Sequence, residues 1–178
     1  MADPSTYIEE LAREVQRRSI SICFVCAGNI CRSPMAESVA RSAFTSAGIA
    51  NVVVSSAGTG SWHVGQNADP RARAALAKAG FELEGHRAKK FQDAWSKEVD
   101  LVVALDRSNY RDLARLGGIK ADPDKLVLLR SFQTASSPLS GRHDLDVPDP
   151  YLGTHRDFEL ALNIIRDSLS GLLGYFAP

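Results

Sequence analysis

No cysteine follows position 31 in this 178-residue chain, and of its four histidines His63, His143 and His155 show no metal-ligand spacing. The three cysteines present, Cys23, Cys26 and Cys31, crowd into nine residues, which is neither an even disulfide framework nor a zinc-ligand set. They read as reduced thiols, at least one of them reactive. Excess charge is missing too: 21 basic residues balance 21 acidic ones. Such a chain has no basic field to hold a nucleic-acid backbone or an anionic membrane, so any anion chemistry must be local. No apolar run approaches membrane-spanning length, and the N-terminus MADPSTYIEELAREVQRR lacks the basic and apolar regions of a signal peptide. The expectation is a cytoplasmic protein, with export independent of a signal peptide left open. Nucleotide fingerprints are also absent. There is no G-x-x-x-x-G-K-[ST], and GTGSWHVG (58–65) places His63 where G-x-G-x-x-G requires its third glycine.

What is present suits one domain with a substantial core, at 44% hydrophobic and 24% charged residues. Thr6 and Glu9 have capping-box spacing ahead of an apolar face of Tyr7, Ile8, Leu11 and Val15, which predicts a helix. SISICFV (19–25) reads as a buried strand. Met35, Val39, Ala40, Ala43, Phe44 and Ala47 then keep helical spacing, with Pro34 in the first turn and Gly48 as the stop. Strands at 51–56, 100–105 and 125–129 alternate with helices at 68–80, 91–99, 108–116 and 154–173. This alternation predicts an α/β fold, a parallel sheet covered by helices on both faces, with its site beyond the carboxyl ends of the strands. The long irregular stretch 130–150 is of a length that is often functional.

VCAGNICRSP (25–34) occupies the first such strand end. A cysteine is nucleophilic only as the thiolate, a form favoured by a helix N-terminus or a fixed cation. The turn offers Cys26 both. Backbone N–H groups from Ala27 to Arg32 can form a nest for a phosphate or arsenate dianion, and Gly28 lets the backbone bend. Arg32 adds a two-pronged donor that lysine cannot copy, and Ser33 is placed to hydrogen-bond the sulfur. A bare C-x5-R match also fits a strand-end cysteine that merely packs; its position in a strand-to-helix turn favours phosphate chemistry. Thiolate attack on an aryl phosphate further needs an acid for the leaving oxygen. DLDVPDPY offers Asp149 between two prolines, with Asp144 and Asp146 as alternatives on the same terms, and an exposed acidic turn is the simplest reading of the stretch. Neighbouring acids and a bound dianion would favour the protonated form of whichever acid faces the site, and hence an acidic optimum.

Together, VCAGNICRSP, SAGTGSWH and DPY, in this order, resemble the low-molecular-weight protein tyrosine phosphatases. The resemblance covers 19–178 and leaves 1–18 as an N-terminal helical extension. It implies a flavodoxin-like fold with a four-stranded parallel sheet, no metal or cofactor, and hydrolysis of phosphotyrosine-containing proteins through a phosphocysteine. Inorganic phosphate and other oxyanions would inhibit. In this family's terms Cys26 is the nucleophile, Arg32 the phosphate clamp and Asp149 the general acid that becomes the base. Ala27, Gly28, Asn29, Ile30, Cys31 and Ser33 would wrap the phosphate, and Trp62 and Tyr151 would flank the mouth. Ser56 and His86 would join Asn29 and Ser33 in a buttress, although the residues alone also fit a surface His86 and a core Trp62. Cys31 resembles a neighbour that can form a reversible disulfide with the nucleophile, and a packing role suits it equally; Cys23 reads as inert core. Leu152 stands where many relatives have a second tyrosine. Three alternatives remain on the same fold. Arsenate reductases need a downstream cysteine pair, phosphoarginine phosphatases tend to carry threonine at the place of Ile30, and a non-catalytic phosphate-binding module would be expected to lose nucleophile or acid. The motifs have a bacterial flavour.

Overall fold

Four short apolar strands form one parallel sheet in the computed structural model, which describes residues 5–133 and 144–177. β1 (Ile20–Cys26) lies between β2 (Val52–Gly58) and β3 (Leu101–Ala104), and β3 pairs outward with β4 (Leu126–Leu128). The order β2–β1–β3–β4 is that of a flavodoxin-like sheet, and its direction of winding reverses between β1 and β3, where such sheets bind ligands. The fold class expected from the sequence is the one observed.

Alternation along the strands divides the core into two layers. Ile20, Ile22 and Phe24 join a cluster with α1 (Ser5–Glu14), α2 (Arg32–Ser46), α3 (Pro70–Lys78) and the long α6 (His155–Phe176). Cys23 and Val25 face the opposite cluster, with Phe91, Leu113 of α4 (Arg107–Leu113) and Ile119 of α5 (Gly117–Ala121). α1 is integral to the first layer. Ile8, Leu11 and Val15 are buried, and the Tyr7 hydroxyl donates to the carbonyl of Asp100 at 2.8 Å. Burial pushes the Tyr7 phenol up to about 12, so this donor keeps its proton throughout the neutral range.

Several boundaries differ from the sequence expectation, each for a local reason. Ser5 is already helical, so Thr6 lies inside α1 and does not cap it. β2 runs on through Ala57 and Gly58, which are poor strand formers by themselves but are paired with Val25 and Cys26. The segment expected as a helix at 91–99 is a single 3-10 stretch, Asp93–Lys97. The helix expected at 108–116 starts at Arg107, because the Asp106 carboxylate caps it by accepting from the Asn109 N–H at 2.7 Å. The irregular stretch expected at 130–150 begins as a 3-10 turn, Leu129–Phe132; its middle, with His143, lies outside the described residues. Among the described residues no helix is long and apolar enough to cross a membrane, and no group of three or more histidines, cysteines or acids could hold a metal ion.

Candidate active site

β1 ends at Cys26 and α2 begins at Arg32, so 27–31 must turn within one loop. Its carbonyls are held from outside. Cys26 O accepts from Thr59 N–H at 2.8 Å, Ala27 O from Gly60 N–H at 2.9 Å and Ile30 O from Asp69 N–H at 2.8 Å. Asn29 O lies 2.8 Å from His86 Nε2, and since a carbonyl only accepts, that nitrogen carries the proton. By contrast, none of the backbone N–H groups from Gly28 to Ser33 donates to a protein acceptor among the described residues. Carbonyls turned out and amides left free at the start of a 15-residue helix make a cradle for an anion.

Asn29 allows the turn. Its φ of 56° is left-handed, a region where asparagine is among the few tolerated residues. Fully buried, its amide is also fully used: Nδ2 donates to Ser33 Oγ and Ser56 Oγ, each at 2.9 Å, and Oδ1 accepts from Lys89 N–H at 2.9 Å. The Ser56 hydroxyl in turn donates to the Glu37 carboxylate at 2.6 Å. The Ser33 hydroxyl has one proton and two acceptors in reach, Cys26 Sγ at 3.0 Å and Ala57 O at 3.1 Å. A thiolate at Cys26 would draw that proton to sulfur, while Asn29 keeps filling a lone pair of Ser33. At the end of β2, Gly58 lets the loop come close. A β-carbon there would lie 2.7 Å from Ala27 O.

Arg32 is the first residue of α2 and only 2% exposed. One terminal nitrogen donates to Asp106 at 2.6 Å and to Val147 O at 3.0 Å; the other donates to Asp149 at 2.9 Å. Burial opposes its charge, but Cys26, Asp149 and Asp106 outweigh that and hold the guanidinium protonated. Nε is buried and, among the described residues, has no hydrogen-bond partner. A cleft of about 280 Å³ opens here, with Cys26 and Arg32 among its lining and Trp62, His63, Tyr151 and Asp149 along its walls. An oxyanion in the cradle would give Arg32 Nε its missing acceptor.

Of the three acids offered by the sequence, only Asp149 lines this cleft. Asp146 is bound by Arg107 through the backbone N–H at 2.7 Å and the guanidinium at 2.8 to 3.1 Å, which holds its carboxyl below the usual range. Asp144 lies 3.4 Å from Arg130 and 3.8 Å from Arg107. These two fix the segment that carries Asp149.

The profile of the low molecular weight phosphotyrosine protein phosphatase family matches residues 21–177. The chain belongs to that family. A low molecular weight protein-tyrosine-phosphatase of Streptomyces coelicolor is 48% identical over 153 residues, 85% of this chain and 90% of that protein. A low molecular weight protein-tyrosine phosphatase A of Mycobacterium tuberculosis is 44% identical over 86% of this chain and 89% of its own length. Among solved structures, a protein tyrosine phosphatase of Entamoeba histolytica with Hepes in its active site superposes with a TM-score of 0.79 at 30% identity, covering 87% of this chain and 95% of that one.

Every residue nominated from the sequence for this phosphatase-family site lies in the cleft or in the network behind it. Trp62 is 71% exposed and stacked over Gly60, which fits a rim and excludes the core. His86 is bound to the loop. Cys31 lines the cleft, and burial, with Asp69 and Cys26 adding to it, pushes its thiol well up. Burial likewise pushes Cys23 up to about 11, consistent with inert core. Sequence reading missed Asp106, Glu37, Lys89 and His63. His63 lies against Gly28, where an added β-carbon would be 2.8 Å from the ring, and packs 5.8 Å from the Tyr151 ring centre. Only the cap position of Asp106, at a strand end beside the winding reversal, offered a signal.

Proposed function

We propose that this chain is a protein-tyrosine phosphatase working through a phosphocysteine. The observation that carries it is Cys26 beside a ring of inward N–H groups and a buried, unpartnered Arg32 Nε, all at one aromatic-walled cleft. Phosphotyrosine enters between Trp62 and Tyr151 with its phosphoryl oxygens on the loop amides and the Arg32 fork. As the fork turns to phosphate, Asp149 leaves Arg32, takes up a proton from solvent and faces the leaving oxygen. The Cys26 thiolate attacks phosphorus, the bond from phosphorus to the phenolic oxygen breaks, and Asp149 supplies the proton that makes tyrosine. The same carboxylate then takes a proton from water as its oxygen attacks phosphorus; the bond from sulfur to phosphorus breaks, releasing phosphate and regenerating the thiolate. Asn29, Ser33, Ser56 and His86 keep the loop in its anion-binding form throughout. The same reading takes oxyanions as inhibitors, a bacterial cytoplasm as the setting and residues 1–18 as an extension of the domain at 19–178. The lack of a cysteine after Cys31 argues against arsenate reduction, and Ile30 against phosphoarginine.

The test is an assay of the wild type and Cys26→Ser with EDTA on phosphotyrosine, phosphoserine and phosphoarginine from acidic to neutral pH. Only the wild type should act, on phosphotyrosine, and best below neutrality. Hydrolysis by neither protein would overturn the proposal.

A further inference from the structure

The cleft does not end at its aromatic wall. Ile30, His63 and Tyr151, which line it, also line a second groove of about 590 Å³ that continues along Asn67 to Arg73 and Arg87. A further hollow shares Arg73 and Arg87 and reaches Glu84 and His86. The groove is therefore a direct outward extension of the phosphotyrosine slot.

Its charge is uneven. Asp69, the one acid lining the groove, is occupied by the Arg71 guanidinium through bonds of 3.0 and 2.8 Å, which hold its carboxyl below the usual range. Arg73 and Arg87 are exposed and, among the described residues, paired with no carboxylate; Arg87 reaches only the neutral oxygens of Asn67 and His86. Glu84, in the farther hollow, is the remaining acid. Two guanidiniums without a counter-charge thus face a trough that adjoins a tyrosine ring seated between Trp62 and Tyr151.

We infer that the groove bearing Arg73 and Arg87 is a substrate-selecting subsite for acidic side chains flanking the phosphotyrosine. The inference rests on the phosphatase reading. Exposed ion pairs are individually weak, so two together predict a preference of about fivefold to tenfold for acidic over isosteric neutral peptides. Salt should erode it.

Binding of fluorescent phosphotyrosine peptides to Cys26→Ser, by anisotropy, tests the subsite independently of turnover. Peptides with three glutamates, or three glutamines, before or after the phosphotyrosine form the set. One glutamate peptide should bind about fivefold to tenfold tighter than its glutamine twin at low salt, and the ratio should fall toward one with added Arg73→Gln and Arg87→Gln. Added Lys78→Gln, the loss of one charge elsewhere on α3, should preserve it. Equal affinities on both sides, or a preference that survives loss of both arginines, would overturn the subsite. Absent turnover of every peptide by the wild type would instead overturn the phosphatase reading.

Discussion

Asn29, in the phosphate loop, has no exposed surface, whereas the Asp149 side chain on the cleft wall is half open to solvent. The loop is held by buried amide and hydroxyl groups and a part-buried imidazole, all of them hydrogen-bonded. The acid segment is held mainly by arginines: Arg107 on the Asp146 carboxylate, Arg130 on the Asp146 carbonyl at 2.8 Å and Arg32 on Val147. Buried, fully paired polar groups fix one geometry and cost heavily when broken. The exposed Arg107–Asp146 pair, by contrast, yields to salt and substitution in small steps. The difference suits the tasks, because an anion cradle must be preformed, whereas an acid that becomes a base must leave one partner for another.

The largest expected effect comes at the residue both regions share. Arg32→Lys removes the planar fork and should lower kcat/KM on phosphotyrosine by about 10³-fold, a loss comparable to that of an oxyanion-hole donor. Asp149→Ala should lower kcat by about 10²-fold while inorganic phosphate still binds, measured by steady-state kinetics and calorimetry. Loss of phosphate binding as well would mean that the acid segment builds the cradle. Asn29→Ala takes a donor from Ser33 and from Ser56, orphans the Lys89 N–H and keeps a left-handed φ without asparagine. It should cost about 3 kcal/mol in urea unfolding. An effect near zero would refute the contrast drawn above. Arg107→Gln is the mildest, since its backbone N–H still holds Asp146, and should reduce kcat within about fivefold. Because hydrogen bonds to Arg107 depress the Asp146 carboxyl below its unfolded value, the tether is fully present above that value and is lost as pH falls through the lower, folded one. The Arg107→Gln deficit should therefore be constant from pH 7 to about pH 5 and close only in stronger acid, below about pH 4. Stopped-flow turnover across that range checks it.

The sequence made the first half of the site readable because the cradle is local: Cys26 to Ser33 are consecutive, and their types carry the chemistry. The layered sheet was readable for the same reason, since 19–25 alternates between two cores in its own side chains. What escaped depends on contacts between distant segments. Asp106 looked like part of an ordinary strand end, yet it meets Arg32 across 74 positions. Glu37 reads as the solvent face of α2 until β2 brings Ser56 to it. Asp144, Asp146 and Asp149 could not be ranked by spacing, because Arg107 separates them and its role exists only after α4 packs. Gly58 announces a close approach only when a neighbouring backbone is there to be approached.

The guanidinium of Arg32 rests between two carboxylates, so an arriving phosphoryl group meets a cation that already has company. In the proposed mechanism, loading the cradle is an exchange of partners, with Asp149 yielding one edge of Arg32 as the phosphoryl oxygens take it. Ionic strength weakens the resident and the incoming anion together. The affinity of this enzyme for phosphate should accordingly depend less on salt than a fresh encounter of arginine with a dianion would.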